Sequence, residues 1–405
     1  MNVFTGILSS ALLVYSGIAM SETANQTPLN LRIATFNVSM EALNYLPTEA
    51  GKEVTVKGNE LAIALTQDHQ QIKNIAEIIQ RVNPDIILLN EFDGNDDSHQ
   101  SLKLFLNDYL AKSQQGNNAV SYPYFYQGPV NTGVATGYDL NNDQKVGELP
   151  NDAYGYGHFS GHYAMALLSK YPIVEDKIRT FQQFKWRDMP NALVPINEAS
   201  NSPWYSEQAW NNFRLSSKSH WDIPVKVNGN ELHVLASHPT PPVFDGPEDR
   251  NGKRNFDELR FWIDYLTPSA ASYIYDDNKQ FGGLAQDKAF VILGDLNADA
   301  IDGNAIKAGI NRLIHHPRVI DPKPSSEGGK LHRIDNPNAK YHTAFWGMRA
   351  DYVLPAQAQL NVLDSGIFWP KKNQAEFRLI KDRAASSDHR LVWVDVTFKV
   401  QDVKK

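Results

Sequence analysis

The chain of 405 residues contains no cysteine. Disulfides, thiol catalysis, a cysteine-borne lipid anchor and a cysteine-ligated zinc site are therefore excluded. A basic surplus is missing as well: 39 Lys and Arg against 46 Asp and Glu leave a formal charge of −7. Proteins that hold nucleic acid non-specifically present a basic patch, and no Lys/Arg cluster of that kind occurs here. This weakens a nuclease reading without removing it, because a bound metal supplies positive charge locally. The apolar stretch Phe4–Met20 is short for a membrane span. Gly17 and Ala19 suit the small-residue positions of a signal-peptide cleavage site, although no Lys or Arg precedes Arg32. Residues 1–19, extending to about 24, therefore read as a signal peptide, which predicts a secreted or periplasmic protein with no stable membrane insertion.

What is present is an ordinary globular composition, with 42% hydrophobic and 21% charged residues. Apolar runs and helical patterns interleave from Leu31 to Phe398 without a linker, which predicts a single α/β domain over 31–398. Strands are expected at Leu31–Val38, Asp85–Leu89, Ala164–Leu168, Ile223–Val227, Glu231–Ser237, Ala289–Leu293, Asp351–Leu354 and Arg390–Phe398. Asn228-Gly229 reads as a hairpin turn between the fourth and fifth of these. Helices are expected at Gln70–Val82, where Ile72, Ile75, Ile78 and Ile79 recur at helical spacing, and at Ser101–Leu110 and Phe256–Leu266. Two stretches fit neither period: 124–163 is rich in Gly, Asn, Asp and Tyr, and 181–221 in Trp, Asn and Ser. Loops of this length are usually functional, and they read as ordered insertions around a site.

Carboxylates, amides and imidazoles recur at the ends of the apolar strands. Ala34-Thr35-Phe36-Asn37, Leu89-Asn90-Glu91, Ala236-Ser237-His238 and Leu293-Gly294-Asp295-Leu296-Asn297 each close a strand, while Ser387-Asp388-His389 enters the last one. Strand ends are where α/β folds place ligand sites. Hard oxygen donors of this kind suit Mg²⁺ or Mn²⁺. Taken singly, each motif is more often a cap or a solvated loop residue. Their joint order is the informative feature.

Thr-Phe-Asn at 35–37, Asn-Glu at 90–91, Ser-His at 237–238, Gly-Asp-Leu-Asn at 294–297, Asp-Tyr-Val-Leu at 351–354 and Ser-Asp-His at 387–389 together resemble the endonuclease/exonuclease/phosphatase superfamily, the DNase I-like proteins. The resemblance implies a four-layer α/β sandwich of two mixed sheets flanked by helices. It implies Glu91 as principal metal ligand, with Asn37 beside it and Asp388 sharing the ion. It assigns Asp295 to the attacking water and Asn297 to a phosphate oxygen. His389 would act on the scissile phosphate, held in its tautomer by Asp351, and His238 would be the second imidazole, as in the DNase I and sphingomyelinase branches. The abasic-site endonuclease branch carries another residue at that point, which argues against it.

Further candidates lie in the insertions. His162 and Tyr163, before the Ser169-Lys170-Tyr171-Pro172 turn, are candidates to face the phosphate, against a core-packing role. Arg214 and Lys218 are candidate contacts to an anionic substrate, against a charged surface loop. Asp139, Asn141 and Asp143 occupy the first ligand positions of a calcium loop, but Gln144 and Pro150 replace its Gly and Glu, so a structural Ca²⁺ competes with an Asx turn. The acidic run from Pro241 to Asn251 either rims the site or leads into the following helix. The leading reading is an exported metal-dependent hydrolase of phosphodiesters or phosphomonoesters. An extracellular nuclease, with nucleic acid as substrate, is the competing enzyme. A catalytically silent binding module on the same fold is the alternative of another class, and no protein partner is implied.

Overall fold

The apolar runs with no polar relief become the centres of two sheets. The computed structural model describes residues 1, 30–46, 55–96 and 98–400, and the expected leader Phe4–Met20 lies outside the described residues. In the first sheet Leu31–Met40 and Ile86–Phe92 run parallel, with Phe36 opposite Leu89 and Asn37 opposite Asn90. Antiparallel neighbours extend it on both sides, giving the order Leu360–Ile367, Val392–Phe398, Leu31–Met40, Ile86–Phe92, Met165–Ser169, Tyr124–Tyr126. The second sheet repeats the plan around a parallel pair, Asn230–Ser237 with Ala289–Asp295. Its order is Asp351–Pro355, Ala289–Asp295, Asn230–Ser237, His220–Val227, Arg179–Thr180. Strands Leu31–Met40 and Ile86–Phe92 contact Ala289–Asp295 across the interface, so the two sheets pack face to face.

Helices close the outer faces. Gln70–Val82 buries Ile72, Ile75, Ile78 and Ile79, the face set by its spacing, and ends on Asn83 in the left-handed region. Arg250–Tyr265 covers the second sheet, and its Trp262 Nε1 donates to Ser237 Oγ at 2.9 Å. It begins six residues before the expected Phe256, because Arg250–Asn255 is polar and carries no apolar period. The arrangement is the expected α/β architecture, two mixed sheets flanked by helices.

Differences from the expectations have local causes. Ser101–Leu110 is α-helical only within Gln100–Leu104 and then widens to a π-turn over Phe105–Leu110. The edge strand Leu360–Ile367 was not expected, since it is largely exposed over Asn361–Ser365 and shows no apolar run. Helices Glu60–Thr66, Glu207–Asn212, Lys307–Ile314 and Glu327–His332 were too short for periodicity to reveal. The two insertions are tied together from inside: Asn131, fully buried, donates its amide to Gln182 O and Ser216 O, each at 2.8 Å.

Candidate active site

Topology alone gathers the candidate residues. In each sheet the parallel pair ends at the same edge, delivering Asn37 and Glu91 from one and His238 and Asp295 from the other. The antiparallel neighbours begin at that edge, which adds Asp351, in register with Asp295, and His389 just before Val392–Phe398. Gly294 makes the close approach of the second pair feasible: a Cβ there would sit 1.9 Å from Ser237 O. A register shift in the first pair after Asn37 marks a bulge beside the site. Glu91 (φ 55°) and Asn297 (φ 51°) both lie in the left-handed region, as does Tyr163 (φ 55°). Such conformations in residues other than glycine cluster where a side chain must be aimed.

One oxygen is the hub. Asp295 Oδ2 accepts from Asn37 Nδ2 at 3.0 Å and lies 3.5 Å from the Nε2 atoms of both His238 and His389. Its other oxygen accepts the Asn297 N–H at 3.0 Å. On the far side of His389, Nδ1 is 2.9 Å from Asp351 Oδ2, which also accepts from Thr343 Oγ1 at 2.7 Å. The Asp351–His389 pairing expected from the resemblance is therefore present. Asp388 accepts from Ser39 Oγ at 3.2 Å and faces Arg383 at 3.7 Å. Ser387 Oγ bridges the motifs, donating to Asn37 O at 2.7 Å and accepting the His389 N–H at 3.0 Å.

The two imidazoles are driven to opposite charge states. Burial alone would push the His389 imidazolium down, but Asp351, Asp295 and Asp388 outweigh it and raise the ring to about 10. His238 is pushed well below the ordinary range by burial, reinforced by Lys218 and the His389 cation, and its Nδ1 has no partner among the described residues. Burial raises Asp295 to about 6 against the opposing pull of His389. Near neutrality the set is thus a charged His389, a neutral His238 and an ionised Asp295. Separated proton affinities of this kind are how one site provides both an acid and a proton acceptor.

A cavity of about 570 Å³ opens from this edge, with Glu91 and His238 on its wall. Burial and the neighbouring Asp388 raise Glu91 to about 7. Among the described residues no cation pairs with it, and ligand atoms of Glu91, His238 and Asp295 lie within 4.8 Å of one another. A carboxylate so destabilised, next to further oxygen donors, fits a hard divalent ion. Asn37 sits between Glu91 and Asp295, but its Oδ1 accepts the Ser39 N–H at 3.1 Å, so its amide orients Asp295 in this structure.

The candidates from the insertions divide. Lys218 and Tyr163 line the cavity, as do Asn141 and the segment Pro241–Asn251 through Pro241, Val243, Phe244 and Arg250. Burial lowers the affinity of Lys218 for its proton, opposed by Glu91, Glu258 and Asp295, and its ammonium makes no hydrogen bond among the described residues. His162 does not line the cavity: it is fully buried, its Nε2 3.1 Å from Glu41 and its Nδ1 accepting from His158 N–H at 3.2 Å. Arg214 also stays outside the cavity, bonded to Asn131 Oδ1 at 2.7 Å and stacked on Tyr154. The Asn297 side-chain N–H donates to Pro239 O at 3.1 Å, and Asn297, like Asp295 and His389, lies behind the cavity wall. Asp139, Asn141 and Asp143 turn their oxygens onto the N–H groups of residues 143–145, the Asx-turn arrangement.

Several participants had no motif to reveal them. Glu41 supports His162 and meets Arg383 at 3.4 Å, Asp93 accepts from the N–H groups of Ala42 and Tyr163, and Arg254 reaches the cavity from the helix Arg250–Tyr265. Glu41 and Asp93 follow Asn37 and Glu91 closely in sequence, the only signal that marks them.

A solved endonuclease/exonuclease/phosphatase from Beutenbergia cavernae superposes with a TM-score of 0.51 at 16% identity, covering 92% of this chain and 73% of that one. The human Nocturnin catalytic domain with bound sulfate gives 0.46 at 13% identity, covering 92% and 94%. A Staphylococcus aureus beta toxin variant with bound magnesium ions gives 0.41 at 15%, covering 90% and 99%. No curated protein is a significant match. The family model for the Endonuclease/Exonuclease/phosphatase family matches residues 34–389, which begin at the first motif and end at His389, and the chain belongs to that family.

Proposed function

We propose that this chain hydrolyses phosphodiester or phosphomonoester bonds of small substrates by in-line attack of water, in a site that uses a divalent metal. The observation that carries the reading is the convergence of His238 and His389, each 3.5 Å from one Asp295 oxygen, with proton affinities driven apart. Phosphoester hydrolysis builds charge on non-bridging and leaving oxygens while a proton leaves the attacking water. Asp295, ionised and held by Asn37, orients that water and accepts its proton. His389, kept charged by Asp351, donates to the phosphate or the leaving oxygen. Neutral His238 donates a hydrogen bond from Nε2 without adding a second cation, and Lys218 offsets charge on the phosphate. Mg²⁺ or Mn²⁺ held by Glu91, with Asp388 and Asp295 nearby, would supply further charge neutralisation. The size of the cavity, about 570 Å³, and the acidic chain favour small esters over duplex nucleic acid.

The test is a hydrolysis screen of purified protein on bis-p-nitrophenyl phosphate, p-nitrophenyl phosphate and plasmid DNA, after chelation and with Mg²⁺ or Mn²⁺ restored. Metal-dependent turnover of the small esters is expected, and undiminished turnover in excess chelator would sink the metal requirement. The apolar leader supports export, so N-terminal sequencing of the mature chain should begin after residue 19.

A further inference from the structure

The cavity is larger and more cationic than one reacting phosphate requires. In a chain of net charge −7, its wall carries Lys218, Arg250, Arg254 and Arg383. Two of these are accounted for near the centre: Lys218 by its field on Glu91 and Asp295, and Arg383 by its contacts with Glu41 and Asp388. The other two project from one face of the helix Arg250–Tyr265, four residues apart.

Arg254 is the informative residue. It is 6% exposed, yet no carboxylate pairs with it among the described residues. Its Nε donates to Leu215 O and its Nη2 to Tyr154 O and Arg214 O, while Nη1 makes no hydrogen bond among the described residues. Burial weakens its hold on the proton; the buried Glu258 opposes this through its field but gives both oxygens to the N–H groups of Ser217 and Thr240, so Arg254 has no hydrogen-bonded counter-ion among the described residues, and a ligand anion would supply one. Arg250 lies one turn away, ion-paired with Glu248 and with its guanidinium over Trp204. Tyr156, Tyr163, Tyr205, Phe213 and Phe244 line the same cavity, so an aromatic or apolar body has its own contacts there. The volume is that of a small-molecule site.

We propose that Arg254 and Arg250 form a second anion subsite, and that the substrate is a small phosphoester whose leaving group is an aromatic or apolar body bearing another anionic group. The substrate class rests on the hydrolase reading above; the subsite itself does not. Planar carboxylate or phosphate matches the guanidinium fork.

The test pairs two non-hydrolysable probes, phenylphosphonate and 4-phosphonobenzoate, by calorimetry on the full protein with Mg²⁺ present. Phenyl phosphate and 4-carboxyphenyl phosphate then provide turnover. At least tenfold tighter binding of 4-phosphonobenzoate is expected, with a preference in the same direction in kcat/KM. Arg254→Gln, which keeps an N–H for the carbonyl groups, should bring the binding preference within twofold of unity. If that variant fails to fold, Arg250→Ala should still reduce the preference at least threefold. Equal affinity of the wild-type protein for both probes overturns the subsite, even where both esters are hydrolysed. Selective binding without turnover of either ester keeps the subsite and overturns the hydrolase reading.

Discussion

Asp351→Asn isolates the part of the site that depends on charge. Asp351 is fully buried, 2.9 Å from His389 Nδ1, and is the strongest of the groups that raise the ring. Against the ordinary 6.5, a value of about 10 means that the carboxylates outweigh burial by roughly 5 kcal/mol, at about 1.4 kcal/mol per tenfold change in proton affinity. The sign follows from linkage: the stabilisation from the charged ring is fully present below 6.5 and is lost as pH rises through about 10. Asparagine preserves shape and can still accept the Nδ1 proton, but it removes the full negative charge. With burial then unopposed on that side, the ring should titrate at least about three pH units lower, so the charged acid is depleted at and above neutrality. Turnover should fall by about 10²–10⁴, the usual worth of a general acid. The assays are kcat/KM against pH on an aryl phosphate and ¹⁵N NMR of the histidine rings, with melting curves to establish folding. A folded variant retaining turnover within threefold at pH 7.5, or a wild-type His389 already neutral at pH 8, would refute the reasoning.

Two further outcomes follow from other parts of the site. Because Glu91 is raised to about 7 from its ordinary 4.5, its ionisation weakens the metal-free protein as pH climbs through that window, and a bound cation should reverse this. Mg²⁺ should therefore raise Tm more at pH 8 than at pH 5.5, and should do neither in Glu91→Gln; equal gains at both pH values would contradict the assignment. Gly294→Ala places a methyl group against Ser237 O, so it should cost about 1–3 kcal/mol by chemical denaturation and lower kcat by displacing Asp295. Unchanged stability would show that the two strands can separate there without consequence.

The central strands were legible because burial on both faces leaves a continuous apolar run, as in Ile86–Leu89, and the helix Gln70–Val82 because its buried face repeats at 3.6 residues. Legibility failed where one face is wet or the element is brief. Leu360–Ile367 shows no run because Asn361, Asp364 and Ser365 face solvent, and Lys307–Ile314 spans barely two turns. Arg250–Asn255 hid the true start of its helix behind six polar residues, and with it the cavity-facing side of that helix.

The same physics explains which site residues could be named in advance. Asn37, Glu91, His238 and Asp295 terminate parallel strands, so an apolar run points directly at each, and the fold then needs only to bring the strand ends to one edge. Arg254 and Glu41 lie outside those runs and act through contacts with chain 40 to several hundred positions away, as when Glu41 meets Arg383 across 342 residues. His162 shows the converse error. Its place before an apolar strand matches that of His389, but the preceding loop folds over it and commits both ring nitrogens to Glu41 and His158. Tyr163, the next residue, is turned into the left-handed region and faces the cavity in its place. One backbone reversal therefore decides which of two adjacent side chains is available to a ligand, and sequence periodicity carries no record of it.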